Sequence, residues 1–253
     1  MNLDHKILTN KWLSILQDIY NEGHKYDNYI EALNFHYTLD PFNDYFMSDR
    51  SNIFDKEKAK AIYNWYKKHD SRDHSIEKYF DEYKHCTDNT HLDFNSNYGL
   101  YAYSEYGLDK CAERLAKDNM SRQAVFCINN NEAMSDRSID KLCTNTIHFF
   151  IRDNRLIMIV NMRASNFVTL LPYDSFIFCF WYFYVFNKLY NEYHIKNLER
   201  DYIYITASTI HFYLENTYKI DIHDKDHTLY GLFDDYKDKD FINKFEKKLN
   251  ISQ

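Results

Sequence analysis

From Leu171 to about Tyr193 the chain carries Phe176, Phe178, Phe180, Trp181, Phe183 and Phe186. At helical spacing these side chains point nearly all round the axis, so no side of the helix can face water without exposing aromatic surface. Pro172 suits the first turn, where a backbone N–H has no intrahelical partner to lose. The segment is therefore expected to be a helix in the middle of the fold. Its most apolar part, Ser175 to Phe186, is about twelve residues long, against the roughly twenty needed to span a bilayer. It reads as a core helix, and no membrane association is expected.

The rest of the chain must wrap that helix. Thr9 or Asn10 can cap a first helix with Trp12, Ile15, Leu16 and Ile19 at helical spacing, and Gly23 can end it. Residues 24–54 are polar and aromatic without a clear period, which predicts loop with one strand. Asp55 to Lys68 reads as a second helix with Ala59, Ile62 and Tyr66 on one face, and Leu108 to Lys117 as a third. Between them, residues 69–97 are expected to be irregular with short helical pieces. Strands are expected at Gln123 to Ile128, at Thr146 to Arg152 and Arg155 to Arg163 around an Asp153-Asn154 turn, and at Tyr202 to Ala207. No internal repeat or linker is visible. The expected class is α/β (α+β), a mixed sheet packed on a long buried helix in one domain spanning residues 1–253.

Composition narrows the function. A chain of 253 residues with 45% hydrophobic and 27% charged residues is globular. Aromatics reach 18% while Gly and Pro number 4 and 2, a skew expected of AT-rich coding. A net charge of −7 argues against a broad binder of phosphate backbones, so no direct DNA binding is expected. A small anion needs only two or three local cations. The five cysteines, odd in number and without CxxC spacing, predict neither a disulfide framework nor a metal site, and point to a reducing cytoplasm. The first residues, Met1 to Trp12, lack the apolar run of a signal peptide.

One stretch carries chemistry. Cys143 stands just before a strand, Arg163 ends the partner strand of its hairpin, and Asp174 follows Pro172 in the first turn of the long helix. A thiol, a guanidinium and a carboxyl so placed could supply a nucleophile, an anion site and a reader of a polar ring. Each has an ordinary alternative: a buried cysteine packs as a small hydrophobe, an arginine pairs at the surface, and an acid at a helix start complements the macrodipole. Arg122 sits at a strand start, and His211 and Tyr213 alternate on one strand face. His85, His91, His223 and His227 lie in polar loops and take no assigned role.

Taken in order, Ser121-Arg122-Gln123, Cys143, Arg163-Ala164-Ser165-Asn166, Leu170-Leu171-Pro172-Tyr173-Asp174 and His211-Phe212-Tyr213 resemble the central block of the thymidylate synthases and related pyrimidine nucleotide hydroxymethylases. The register holds without a gap from Cys143 to Asp174, and Asn95-Ser96-Asn97-Tyr98-Gly99 resembles the family's Tyr-Gly segment. Cys143-Thr144-Asn145-Thr146, with Asn161-Met162-Arg163, resembles the phage-type deoxycytidylate hydroxymethylases more than the Pro-Cys-His frame of the synthases. The likeness spans roughly residues 95–215, is faint in the N-terminal helix and is absent at the C-terminus.

The resemblance implies specific roles. Cys143 would add to C6 of a pyrimidine ring and make C5 nucleophilic towards a one-carbon unit. Arg163, together with Arg122 lent by the other subunit of a homodimer, would hold the 5′-phosphate, and Arg163 would also favour the thiolate. His211 and Tyr213 would bind the sugar, Tyr98 would order water near C5, and Asn166 would contact a 5,10-methylenetetrahydrofolate donor. Asp174, where members acting on uracil carry Asn, implies a cytosine ring. Other departures are Gln123 for the second Arg of the Ser-Arg-Arg block, Ala164 for Ser, Asn166 for the folate-contacting Asp and Leu170 for Gly. Ile62 stands where a catalytic Glu would fall, and residues 24–45 lack the Arg and Gly of a phosphate loop. Three readings follow. The first is a cytoplasmic (deoxy)cytidylate 5-hydroxymethylase. The second is a thymidylate synthase methylating dUMP, which dihydrofolate formation would reveal. The third is a non-catalytic nucleotide- or partner-binding homologue, which would exchange no C5 proton.

Overall fold

The aromatic helix is where its composition requires it to be. In a computed structural model that describes residues 15–42, 54–88, 90–129, 139–219 and 235–251, Leu171–Asn191 is helical, and each of its six named aromatics is essentially inaccessible to solvent. Burying one such ring contributes about 2 kcal/mol. Around it, in chain order, lie a helix at residues 15–22 (α1) and strands His24–Lys25 (β1) and Tyr29–Leu39 (β2). Helix Lys56–Lys68 (α2) follows, then two 3-10 turns at His74–Lys78 and Asp81–His85, and helices Gly99–Ala102 (α3) and Leu108–Lys117 (α4). Next come strands Val125–Cys127 (β3), Thr144–Arg152 (β4), Arg155–Met162 (β5) and Ser165–Asn166 (β6). The long helix (α5), strand Glu199–Tyr213 (β7), a 3-10 stretch at Leu214–Lys219 and helix Phe241–Lys248 (α6) complete the order.

The strands form one mixed sheet in the order β1-β2-β7-β5-β4-β3, with β6 also beside β7. Strands β5 and β7 run parallel, because the long helix carries the chain across one face between them. The β4–β5 hairpin closes on Asp153 and Asn154, both with positive φ (50° and 60°), as a two-residue turn that matches strand twist requires. The inner sheet face, with Ile147, Phe149, Met158, Val160, Ile203 and Ile205, is buried. Tyr182 of α5 fastens helix to sheet: its hydroxyl donates to the Leu156 carbonyl at 2.7 Å and accepts the Asp201 N–H at 2.8 Å.

The expected helices and strands are present, with two qualifications. Residues 24–54, read as mainly loop, contain the eleven-residue strand β2. Its own pattern is weak, and what holds it straight is antiparallel pairing with β7 from Tyr29↔Tyr213 to Leu39↔Ile203. The long partner thus supplies a ladder that local sequence does not announce. Strand β7 likewise runs well beyond Tyr202 to Ala207. Thr9, Asn10 and Trp12 lie outside the described residues, as do His223 and His227. Gly23 does end α1, its N–H bonding the Ile19 carbonyl at 2.9 Å.

Candidate active site

Four segments converge at the end of the sheet where β4 begins. Cys143 immediately precedes β4, Ser165 and Asn166 form β6, and Leu170 and Asp174 lie at the start of α5. Ser96 and Tyr98 come from the loop before α3, and Tyr83 and Cys86 from the second 3-10 turn. Together with Asp140 they line a cleft of about 90 Å³, room for a single-ring group.

The Tyr98 loop is held from two sides. The Asn97 side chain donates to the carbonyls of Trp65 and Asp70, both at 3.1 Å, and accepts the Gly99 N–H at 3.1 Å. Tyr98 itself stacks on Tyr66 of α2 with ring centres 5.5 Å apart. Its hydroxyl accepts the N–H of Thr144 at 3.2 Å, next to the thiol. Gly99 is required here, since a Cβ would stand 1.7 Å from the Tyr66 carbonyl oxygen.

Arg163 reaches back around the thiol segment. Its Nε donates to the Leu142 carbonyl at 2.6 Å and its Nη2 to the Lys141 carbonyl at 2.7 Å, while its own N–H bonds the Cys143 carbonyl. The guanidinium therefore fixes the backbone that presents Cys143. The electrostatics differ from the expectation of an activated thiol. Burial pushes Cys143 up to about 11; Arg163 pulls it down as expected, but Asp174 and Asp140 oppose that pull. At neutral pH the thiol form is therefore favoured over the thiolate.

Asp174 is buried in the first turn of α5, and burial alone raises its carboxyl to about 7. Burial of the charged form outweighs the favourable helix start here, so this acid is not a simple dipole partner. A carboxyl held near neutrality can donate one hydrogen bond and accept another.

The remaining expected residues are less centred. Asn166 lines the cleft, but its Oδ1 accepts the Val168 and Thr169 N–H groups at 3.3 and 3.2 Å, an Asx turn leading into α5. His211 pairs with Asn166 across β6–β7, so it lies next to the cleft wall, and burial lowers its pKa. Tyr213 continues outward from it, with ring centres 5.5 Å apart. Arg122 is exposed at the approach to β3, where its carbonyl accepts from His148 at 3.0 Å, and it does not line this cleft. Ile62 is a core residue of α2. Sequence reasoning passed over Asp140 and Cys86. Asp140 could have been noticed from its place three residues before Cys143, whereas Cys86 lies in a polar stretch that gives no signal.

A 5,10-methylenetetrahydrofolate donor would have to meet Asn166 and Leu170. The Asn166 carbonyl oxygen is engaged with its own turn, and Leu170 puts a branched side chain into the cleft wall. These two residues do not offer the acceptor and open wall that a pterin would need. No group of three or more His, Cys, Asp or Glu suited to a metal occurs among the described residues. No helix of the described residues is long and apolar enough to cross a membrane.

No family model matches the chain. The deoxycytidylate 5-hydroxymethyltransferases of Enterobacteria phages T4, T2 and T6 are each 28% identical to it over 140 residues, covering 51% of this chain and 55% of the relative. The chain spans about half the length of the curated relatives it matches. Over about half its length, this chain is similar to deoxycytidylate 5-hydroxymethyltransferases.

Proposed function

We propose that this chain is a one-carbon transferase acting at C5 of a cytosine nucleotide, a (deoxy)cytidylate 5-hydroxymethylase working in the cytoplasm. The observation that carries the reading is the pairing of Cys143 with a buried, near-neutral Asp174 in one ring-sized cleft. A protonated Asp174 donates to N3 and accepts from the exocyclic amino group of cytosine, and its proton can pass to N3, a basic nitrogen that uracil, with its N3–H, does not offer. Held so, the ring presents C6 to the Cys143 sulfur. Attack needs the thiolate, so ligand binding must overcome the burial that keeps the thiol neutral. Arg163 holds the thiol segment and, with His211 and Tyr213 beyond the cleft wall, receives the sugar–phosphate end. Tyr98 borders the ring.

The reading includes a homodimer in which Arg122 reaches the partner's nucleotide phosphate. In support, the outer sheet face presents Phe150, Ile157, Ile159, Tyr202 and Tyr204, partly or fully exposed, and Arg122 lies beside His148 of that face. A self-complementary contact of this kind suits a two-fold pair.

Release of tritium from C5-labelled CMP, dCMP, UMP and dUMP, with and without methylenetetrahydrofolate, tests the proposal. Release from dCMP well above that from dUMP, reduced to background by Cys143→Ala, is the expected result. Equal release from dCMP and dUMP would refute the cytosine assignment. Absence of release from all four would favour a binding protein without turnover.

A further inference from the structure

Asp140 has no part in the mechanism above, yet it is one of the most buried carboxyls among the described residues and lines the same cleft as Cys143, Tyr98 and Asp174. Its Oδ2 accepts the Ser96 N–H at 2.7 Å, which ties it to the loop carrying Tyr98. The Asn95 N–H and the Cys86 thiol also bond its carboxyl, so its position is set from the Tyr98 loop and the second 3-10 turn as well as by the three-residue step to Cys143.

Exchange of the C5 hydrogen, which reports attack at C6 when no one-carbon donor is present, needs a group in the cleft that moves a proton at C5. When the Cys143 sulfur bonds to C6, the electron pair of the C5=C6 bond moves to C5, which takes up a proton. For the ring to be restored, the original C5 hydrogen must leave as a proton, its electron pair re-forming C5=C6 as the sulfur departs. One group that gives and then takes a proton at C5 satisfies both steps, with no oxidant or reductant. Asp174 is committed to the N3 and amino edge. The hydroxyl of Tyr98 is held well above its usual value by burial and accepts from Thr144, so it is no base. Ile62, on α2, brings no acid, and Cys143 is occupied at C6.

We propose that Asp140 is the proton-exchanging group of this cleft, serving C5 of the ring that Cys143 attacks. The inference rests on the function proposed above. Burial lifts the Asp140 carboxyl above its ordinary value, so it can alternate between acid and base nearer neutral pH than a solvated aspartate. The titratable groups around it are Cys86 and Tyr83 from the second 3-10 turn, Lys141 and Cys143 on its own segment, and Tyr98 and Asp174 across the cleft. Glu82, at the same cleft, is half-buried and is the competing carboxyl.

The test compares C5-tritium release from dCMP across pH for the unchanged protein, Asp140→Asn and Glu82→Gln. An asparagine keeps an oxygen for the Ser96 N–H, so the loop tie survives while proton exchange is lost. Asp140→Asn is expected to lower release about a hundredfold or more, to flatten the pH profile on its acidic side, and to leave dCMP affinity unchanged. Glu82→Gln should retain both rate and profile. A substrate-independent reading comes from iodoacetamide alkylation of Cys143. Its pH profile should move to lower pH in Asp140→Asn, because a like-charged neighbour has been removed. Release that Asp140→Asn leaves intact, an unmoved alkylation profile, or a loss that tracks Glu82→Gln would each overturn the inference alone. Absence of release from the unchanged protein would overturn the functional reading, and this inference with it.

Discussion

Burial acts on two groups of the cleft in opposite senses. For Cys143 it suppresses the reactive form, holding the thiol near 11 despite Arg163. For Asp174 it preserves the useful form, a carboxylic acid at about 7 that can meet both the donor and the acceptor of a cytosine edge. The same shift costs stability. Between the ordinary carboxylate value near 4 and the folded value near 7, the folded state binds a proton that the unfolded state releases. Stability therefore falls as pH rises through that window, by at most about 1.4 kcal/mol per pH unit. Asp174→Asn is expected to be more stable than the unchanged protein at pH 8 and to converge with it near pH 4, as urea unfolding at the two pH values would read. An equal difference at both would show that Asp174 titrates normally. The same variant should shift tritium release from dCMP towards dUMP, since an amide matches the N3–H and O4 of uracil.

At the scale of elements, α2 and the Tyr98 loop are the supports that fix the site. Asp55 caps α2, its Oδ1 accepting the N–H groups of Glu57 and Lys58, while its own N–H bonds the Tyr173 hydroxyl at 2.9 Å. The cap thereby joins the start of α2 to the first turn of α5, the turn that carries Asp174. Asp55→Ala should cost about 1 kcal/mol of stability, measured as a lower urea midpoint at unchanged slope. Gly99 has a harsher constraint, because any Cβ collides with the backbone of Tyr66. Gly99→Ala should cost about 3 kcal/mol and slow Cys143 alkylation, because Tyr98 and Thr144 shift with the loop. Retention of both stability and alkylation rate would show that the loop yields. Of these supports the sequence exposed only part. The Asp55 helix start and the Pro172 turn follow local rules, but the dependence of the Tyr98 loop on Trp65, Tyr66 and Asp70 is a long-range packing fact. Strand β2 was hidden for the same reason: its stability lies in β7, not in its own alternation.

At the scale of the whole molecule, the sheet separates a buried inner face from an outer one that carries aromatic and aliphatic side chains. If two chains pair through the outer face, Ile159→Glu places a charge at its centre and should yield monomers in sedimentation equilibrium. Mixing Arg122→Ala with Cys143→Ala should then restore part of the tritium release that each variant lacks, since one hybrid site would keep both residues. No restoration would place Arg122 outside the partner's site. Several features were fixed by the amino-acid order alone: the central helix, from its all-round aromatic surface; the β4–β5 hairpin, from Asp153-Asn154; and the ordered motifs around Cys143, Arg163 and Asp174 that carry the family resemblance. These depend on periodicity, turn chemistry and residue type, which are local. Tertiary structure decided the rest: that Arg163 braces the thiol backbone, that Cys143 rests neutral while Asp174 stays near neutrality, and that Asp140 joins the cleft. Those outcomes depend on desolvation and on hydrogen bonds between segments far apart in the chain, and neither exists until the core has closed around them.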